Sequence, residues 1–403
     1  MATRVPSWQR CMSESTLNSS QASTASQGPA NGAGRRSFGK KALSALKLLG
    51  VNLLVLGIAV ELASIVLVHL KKWPGDRPTY HVSRYQFWTV TNPVFGMWHP
   101  ANGHFLHQEG CFSFEYFTNS YGARDVERSV HSGHPRTVVL GDSFVEGFGL
   151  PVDKRLSNIL ETRSGREHLN FGTGGGFSPL QYALVYSSMA SKFDHDRVLV
   201  EVLPDNDFHE MDGAWMEDHY PGRYFPYYRD DFSVGYMGKF NPNVLDEFGD
   251  RTDAFLRAYF ATYHVVEYIQ AARLYSVRPR LYSGYNDYGQ TDLARLQKAL
   301  LDIKQTADTH GAEVYVFLIP RPHDFQRYRQ GQDRLGPVLE AWGREAGIHV
   351  KDLLPEMDAR GKGDYSAFFL PCDDHWSAQG TEAAADILGP WMYNRSSSSD
   401  TQP

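Results

Sequence analysis

Val138-Val139-Leu140-Gly141-Asp142-Ser143-Phe144 is an apolar run that ends abruptly in a glycine, an acid and a serine. The pattern predicts a buried strand whose C-terminal end delivers Ser143 into a sharp turn. A serine hydroxyl placed there becomes a nucleophile only where a base takes its proton and fixed donors hold the oxyanion formed on attack. Without such partners Ser143 reads as a turn residue that caps the following helix.

Three further blocks follow in order: Asn170-Phe171-Gly172-Thr173-Gly174-Gly175-Gly176, Pro204-Asp205-Asn206-Asp207-Phe208 and Asp373-Asp374-His375-Trp376. Together the four blocks resemble the SGNH (GDSL-type) hydrolase family over roughly residues 130–390. The resemblance implies Ser143 as nucleophile and His375 as general base, then acid for the leaving group. It also implies an oxyanion hole built from the N–H groups of Ser143 and Gly175 and the side-chain amide of Asn206, an uncharged donor that cannot titrate. Gly172 and Gly174 are rivals to Gly175, because the register of the glycine-rich block is open. Family members usually carry the triad acid three residues before the histidine, where this chain has Cys372. Asp373 is therefore expected to orient the imidazole, with Asp374 as competitor. Asp-x-His-Trp segments occur in proteins that resemble the alginate O-acetylation group, but there the pair precedes the serine block, so no substrate carries over.

The rest of the body alternates strands and helices. Strands are expected at His168–Phe171, Arg197–Leu203, Val314–Ile319 and Ile348–Leu353. Ser178-Pro179 sets an N-cap and a first-turn proline for a helix to about Ala190, Thr291 caps a helix with apolar residues at helical spacing, and Ser377 caps the last one. Such alternation implies α/β class and a five-stranded parallel sheet covered on both faces, with ligands beyond the strands' C-terminal ends. The resemblance implies the same three-layer, flavodoxin-like α/β/α fold.

The N-terminal region is organised differently. Residues 1–34 are rich in Ser, Ala, Gly, Gln and Asn without apolar period, and the basic tail 1–47 is expected to be irregular. Leu48–Leu70 exceeds the about 20 residues that cross a bilayer. Its Leu, Ile and Val residues, at about −0.3 to −0.6 kcal/mol each, outweigh Glu61 at about +3 kcal/mol. Arg35, Arg36, Lys40, Lys41 and Lys47 precede this span and only Lys71 and Lys72 follow closely, which favours a cytoplasmic N-terminus. The expectation is one uncleaved helix in the inner membrane, residues 48–70, with the body on the periplasmic side. Arg35-Arg36-Ser37-Phe38-Gly39-Lys40 also fits a twin-arginine export signal, against a role only in orienting the helix.

Residues 73–130 read as a linker and small β extension, with aromatic and polar residues alternating over 79–130, before a catalytic domain at 131–394 and a tail at 395–403. Within that domain, 208–275 is an insertion dense in aromatics and acids. Its first half, with Trp215, Tyr220, Tyr224 and Tyr228, suits either glycan contact or a structural lid. Its second half, with Phe255, Leu256, Tyr259, Tyr263, Val266 and Ile269 at helical spacing, is expected in the core.

The chain has 403 residues, 42% hydrophobic and 21% charged, with a formal net charge of −6. No basic block lies in the body, so nothing invites nucleic acid. Cys372-Asp373-Asp374-His375 cannot converge on one metal ion, and the pattern calls for no cofactor. Cys111 and Cys372 would share the oxidising side, so a disulfide between them is open. The expected activity is a serine ester hydrolase working through an acyl-enzyme, with O-acylated cell-envelope glycans among its candidate substrates. The alternatives are a polysaccharide O-acyltransferase and a non-catalytic glycan-binding member of an export assembly.

Overall fold

Helix α1, Gly32–Val68, opens the computed structural model, which describes residues 32–393 apart from 71–72, 74–76, 79, 81–86, 89, 110, 241–247, 277–282 and 333. The chain divides into two units, residues 1–58 and 59–403. Leu43–Val68, 26 residues of α1, is long and apolar enough to cross a membrane. The helix begins at Gly32, so the stretch 32–47, expected to be irregular, is helical, and it ends at Val68 rather than Leu70. The expected irregularity of residues 1–31 and of the tail 395–403 lies outside the described residues.

Two hairpins form the β extension. Strands β1, Val90–Asn92, and β2, Gly96–Trp98, pair antiparallel, as do β3, His104–Gln108, and β4, Ser113–Phe117. Phe105 and Tyr116, directly opposite across β3 and β4, cluster with Phe87. In β3 and β4 the alternation thus puts Phe105 and Tyr116 into a small core.

The larger sheet follows. Strand β5, Arg136–Gly141, is buried along its whole length and leads into the short helix α2, Ser143–Glu146. Helix α3, Leu156–Ser164, precedes β6, Glu167–Gly172; α4, Pro179–Ser188, precedes β7, Arg197–Val202. Helices α5, Pro204–Glu210, and α6, Gly213–His219, lead to a hairpin of β8, Phe225–Tyr228, and β9, Val234–Met237. Next come α7, Phe248–Tyr259, α8, Ala261–Ser276, α9, Gly284–Asp287, and α10, Gln290–Thr309. Strand β10, Glu313–Leu318, α11, Pro322–Arg329, α12, Leu335–Ala346, β11, His349–Asp352, α13, Leu354–Gly361, and α14, Ala378–Tyr393, complete the body.

The sheet order is β11-β10-β7-β5-β6, all parallel. In sequence order the strands lie 2-1-3-4-5, the doubly wound flavodoxin-like arrangement. Helices α3 and α14 pack on each other, as do α4 and α10, giving three layers. Long apolar runs such as Val198-Leu199-Val200 are what a strand covered on both faces requires. The order reverses between β5 and β7, and Ser143 and Asn206 emerge there from the C-terminal ends of those strands.

Two local expectations are corrected. The cap of α10 is Gly289, whose N–H donates to Asp292 at 2.8 Å, rather than Thr291, because the Asp292 carboxylate can reach back three residues. The second half of the insertion is not core. Phe255, Tyr259, Val266 and Ile269 are exposed, since α7 and α8 form a hairpin apart from the sheet. Helical spacing established an apolar face, not what covers it.

Candidate active site

Gly141 ends β5 where the chain must turn closely over β7. A Cβ there would collide with the Glu201 carboxylate and the Val145 side chain, so only glycine fits. The Asp142 carboxylate accepts the Phe144 N–H at 2.8 Å and starts α2, placing Ser143 in its first turn. Gly147, at φ 83°, ends the helix one residue after Glu146. Arg124, almost fully buried, donates to the carbonyls of Glu146 at 2.9 Å, Gly147 at 2.6 Å and Leu150 at 2.8 Å. One guanidinium therefore satisfies the carbonyl end of this turn, and its face lies 3.2 Å from the centre of the Tyr116 ring.

The structure brings Ser143, His375 and Asp373 together. Ser143 Oγ lies 2.7 Å from His375 Nε2. On the far side of the imidazole, Nδ1 meets Asp373 Oδ1, which also accepts the His375 backbone N–H at 2.8 Å. This double acceptance fits Nδ1–H as the protonated position and leaves Nε2 to receive the Ser143 proton. Burial raises the Asp373 pKa, but the adjacent His375, its two hydrogen bonds and Arg321 more than offset this, leaving the carboxyl below its ordinary value. Asp374 turns away to Arg321, at 3.4 Å.

The imidazole is stacked on Phe148 at 4.1 Å between centroids and tilted against Phe144 at 4.8 Å. Its loop is pinned at several points. The Leu370 N–H donates to the His375 carbonyl at 2.8 Å, Phe369 and Trp376 form an isolated antiparallel bridge, and Ser377 Oγ accepts the Gln379 and Gly380 N–H groups at 3.2 Å each. Cys372 is bonded to Cys111 of the β extension.

The glycine-rich loop comes up beside Ser143. The Gly174 N–H donates to Glu146 at 2.6 Å, and a Cβ on Gly174 would lie 3.8 Å from that of Ser143. Gly174 is thus tied down, which takes its N–H away from an oxyanion. Gly175 has φ 88°, a conformation that favours glycine. The N–H groups of Ser143 and Gly175 have no hydrogen-bond partner among the described residues. Gly172 packs against α2, where a Cβ would strike the Glu146 backbone. Asn206 sits in the first turn of α5, with its amide nitrogen 3.3 Å from Asp142 and 3.4 Å from Glu210.

Sequence reasoning missed the carboxyls beneath the site. Glu146 is fully buried, accepts Trp88 Nε1 at 3.1 Å, and lies 3.3 Å from His99. Glu201 accepts the Asp142 and Val145 N–H groups at 3.2 and 3.1 Å. Burial, then Asp142, raise its carboxyl well above the usual range. Burial, then Asp142, push Glu210 up to about 8, against the opposing pull of Arg223 and Asn206. A signal was present for Glu201, an acid interrupting the apolar run of β7. None marked Glu146, which follows Ser143 as an ordinary helix residue would. In the first half of the insertion, Tyr224 donates to the Pro93 carbonyl at 2.8 Å and Phe225 and Tyr228 are buried, while Trp215 stacks on His219 at 3.9 Å.

No protein-family profile matches the chain, and no curated protein does. Among solved structures, similarity is found to a lipase/acylhydrolase from Enterococcus faecalis, at 12% identity over 66% of this chain and 100% of that one, with a TM-score of 0.36. A member of the lipolytic G-D-S-L family from Veillonella parvula is similar at 13% identity over 64% and 98%, with a TM-score of 0.34. A lipolytic protein of the same family from Desulfitobacterium hafniense is similar at 12% over 63% and 99%, also with a TM-score of 0.34. At such identities and scores the chemistry of the site has to be judged on its own geometry.

Proposed function

We propose that the chain is a membrane-anchored serine ester hydrolase of the SGNH (GDSL) type, acting through an acyl-enzyme on Ser143. The observation that carries this reading is the continuous line Ser143 Oγ, His375 Nε2, His375 Nδ1, Asp373 Oδ1 at the C-terminal edge of a parallel sheet.

In this mechanism Ser143 Oγ attacks the ester carbonyl carbon as its proton passes to His375 Nε2. Asp373 stabilises the imidazolium and holds its ring in place. The carbonyl electrons move onto oxygen, where the N–H groups of Ser143 and Gly175 would donate, joined by the Asn206 amide once it gives up a contact with Asp142 or Glu210. Collapse expels the alcohol, which takes the proton from His375. A water molecule, deprotonated by the same imidazole, then attacks the acyl-enzyme and releases the acid and Ser143. Phe144 and Phe148 flank the ring and limit its rotation.

Leu43–Val68 would hold the protein in the inner membrane with the body on the periplasmic side, the orientation favoured by the basic residues before the span. The Cys111–Cys372 bond supports an oxidising compartment. O-acylated cell-envelope glycans are substrates that such a position would make available.

The test uses the full chain in detergent with short-chain, long-chain and O-acetylated glycan esters, together with a fluorophosphonate label. A burst of alcohol stoichiometric with protein, and labelling that maps to Ser143, are expected. Absence of both turnover and label would sink the catalytic reading, and acyl transfer to added sugar in preference to water would make the chain a transferase.

A further inference from the structure

The hairpin of α7 and α8 leaves an uncovered apolar face. Phe255, Tyr259, Phe260, Val266, Tyr268 and Ile269 are each 40–48% exposed. The other exposed positions described on it, Thr252 and Gln270, are uncharged. Among the described residues, the charged side chains of the hairpin pair with one another. Arg257 bonds Asp253 at 2.7 Å and Glu267 at 2.8 Å, and Tyr263 donates to Asp253. A helical pair facing water would be expected to set its charges on the exposed side.

A second observation says what covers this face. Glu61, the acid within the apolar segment of α1, accepts the N–H of Ala261 at 2.7 Å and of Thr262 at 3.1 Å. It thereby caps the start of α8, where unpaired N–H groups and the helix dipole favour an anion. Thr262 Oγ1 also donates to Ser64 Oγ at 3.1 Å, and Val68, Trp73 and Ala261 form a small core with Ile65 and Val265. The ring of Trp73 lies 5.0 Å from that of Tyr268. Glu61 is two helical turns before Val68, about 10 Å at 1.5 Å per residue. The start of α8 is therefore held about 10 Å below the end of the apolar segment. That segment, 26 residues, is about 39 Å long against a hydrocarbon core of about 30 Å. Even if the whole excess projects on this side, Glu61 lies at the boundary of the hydrocarbon and α8 starts there.

We propose that α7–α8 is an interfacial hairpin that lies in the outer face of the bilayer crossed by α1, its aromatic and aliphatic face immersed among headgroups and upper acyl chains. This rests on the anchoring proposed above. Tyr and Trp, with an apolar body and a polar tip, are the residues suited to that depth. The occupant of the exposed face is thus lipid, and the catalytic body is held against the membrane at a second point.

The test places a nitroxide at Val266 or Ile269 in the full chain, with Cys11→Ser as background, reconstituted in vesicles of phosphatidylethanolamine and phosphatidylglycerol. Leu54 within the span and the exposed Val338 of α12 serve as reference positions. Collisions with oxygen should exceed those with a water-soluble nickel chelate several-fold at positions 54, 266 and 269, and the reverse should hold at 338. Nickel accessibility at 266 and 269 equal to that at 338, with 54 in lipid, would overturn the hairpin proposal and leave the anchor standing. Nickel accessibility at 54 would overturn the anchor and the hairpin proposal with it.

Discussion

Ser143 Oγ lies 2.7 Å from His375 Nε2, across 232 residues of sequence. The contact joins the turn after the second-innermost strand to a loop that precedes the last helix, so two distant segments have to be held to hydrogen-bond tolerance. If they act as one unit, Ser143→Ala and His375→Ala each remove nearly all ester turnover, and the double variant is scarcely worse. Turnover of a folded Ser143→Ala protein at the parental rate would refute the mechanism.

The two adjacent acids separate cleanly. Asp373→Asn should keep the fold and lower kcat by about 10⁴, because the imidazole then sits in the wrong tautomer. Asp374→Asn should be mild, since Asp374 faces Arg321 rather than the imidazole. Steady-state kinetics of the two variants decide, and the reverse order would move the orienting role to position 374.

Glu146 holds the Gly174 N–H, and so fixes the glycine-rich loop where Gly174 approaches Ser143. Glu146→Ala should lower kcat by about 10²-fold, the scale of a displacement of about 1 Å in reacting geometry, with little change in KM. Glu146→Gln, which retains an acceptor, should recover part of the loss. Equal kcat in all three proteins would leave Glu146 a packing residue.

Glu210 makes stability depend on pH. Its folded-state pKa is pushed up to about 8 from 4.5, so the folded form keeps a proton that the unfolded form releases between those values. The contribution is present below pH 4.5 and is lost as pH rises through about 8, at a slope of up to about 1.4 kcal/mol per pH unit. Urea titrations of the parent and Glu210→Gln should converge at pH 4.5 and diverge toward pH 8, with the variant more stable. Parallel pH profiles would count against a proton retained at Glu210.

Cys111 and Cys372 close a loop with a sequence separation of 261. Replacing both by Ser should cost about 5–6 kcal/mol in the chain-entropy picture and loosen the loop that carries Asp373 and His375. Chemical denaturation measures the first effect and kcat the second. Free alkylation of both thiols in unreduced, denatured protein would remove the bond from consideration.

Much of the sheet was legible because fully buried parallel strands read as apolar runs, and Val138–Leu140 and Val198–Val200 are such runs. The positions of Ser143, Asn206 and His375 followed, since each ends or follows a strand or precedes a cap. What stayed hidden depends on partners distant in sequence. The α7–α8 face has a helical apolar period whether it meets protein, lipid or water, so Phe255 and Ile269 were placed in a core they do not enter. Glu146 and Glu210 look like ordinary helix acids until α2 and α5 are docked beside Gly174 and Asn206. Arg124 belongs to a turn whose target carbonyls lie beyond Ser143.

The Cys111–Cys372 bond also bears on timing. In the proposed orientation Cys111 reaches the oxidising side soon after the anchor, while Cys372 follows near the C-terminal end of the chain. The earlier thiol must stay unpaired until almost the entire polypeptide has crossed, and only then is the loop bearing Asp373 and His375 fastened. A chain cut short during synthesis, or retained in a reducing compartment, would hold its nucleophile without a secured base. Completion of export and competence for acyl chemistry would therefore coincide.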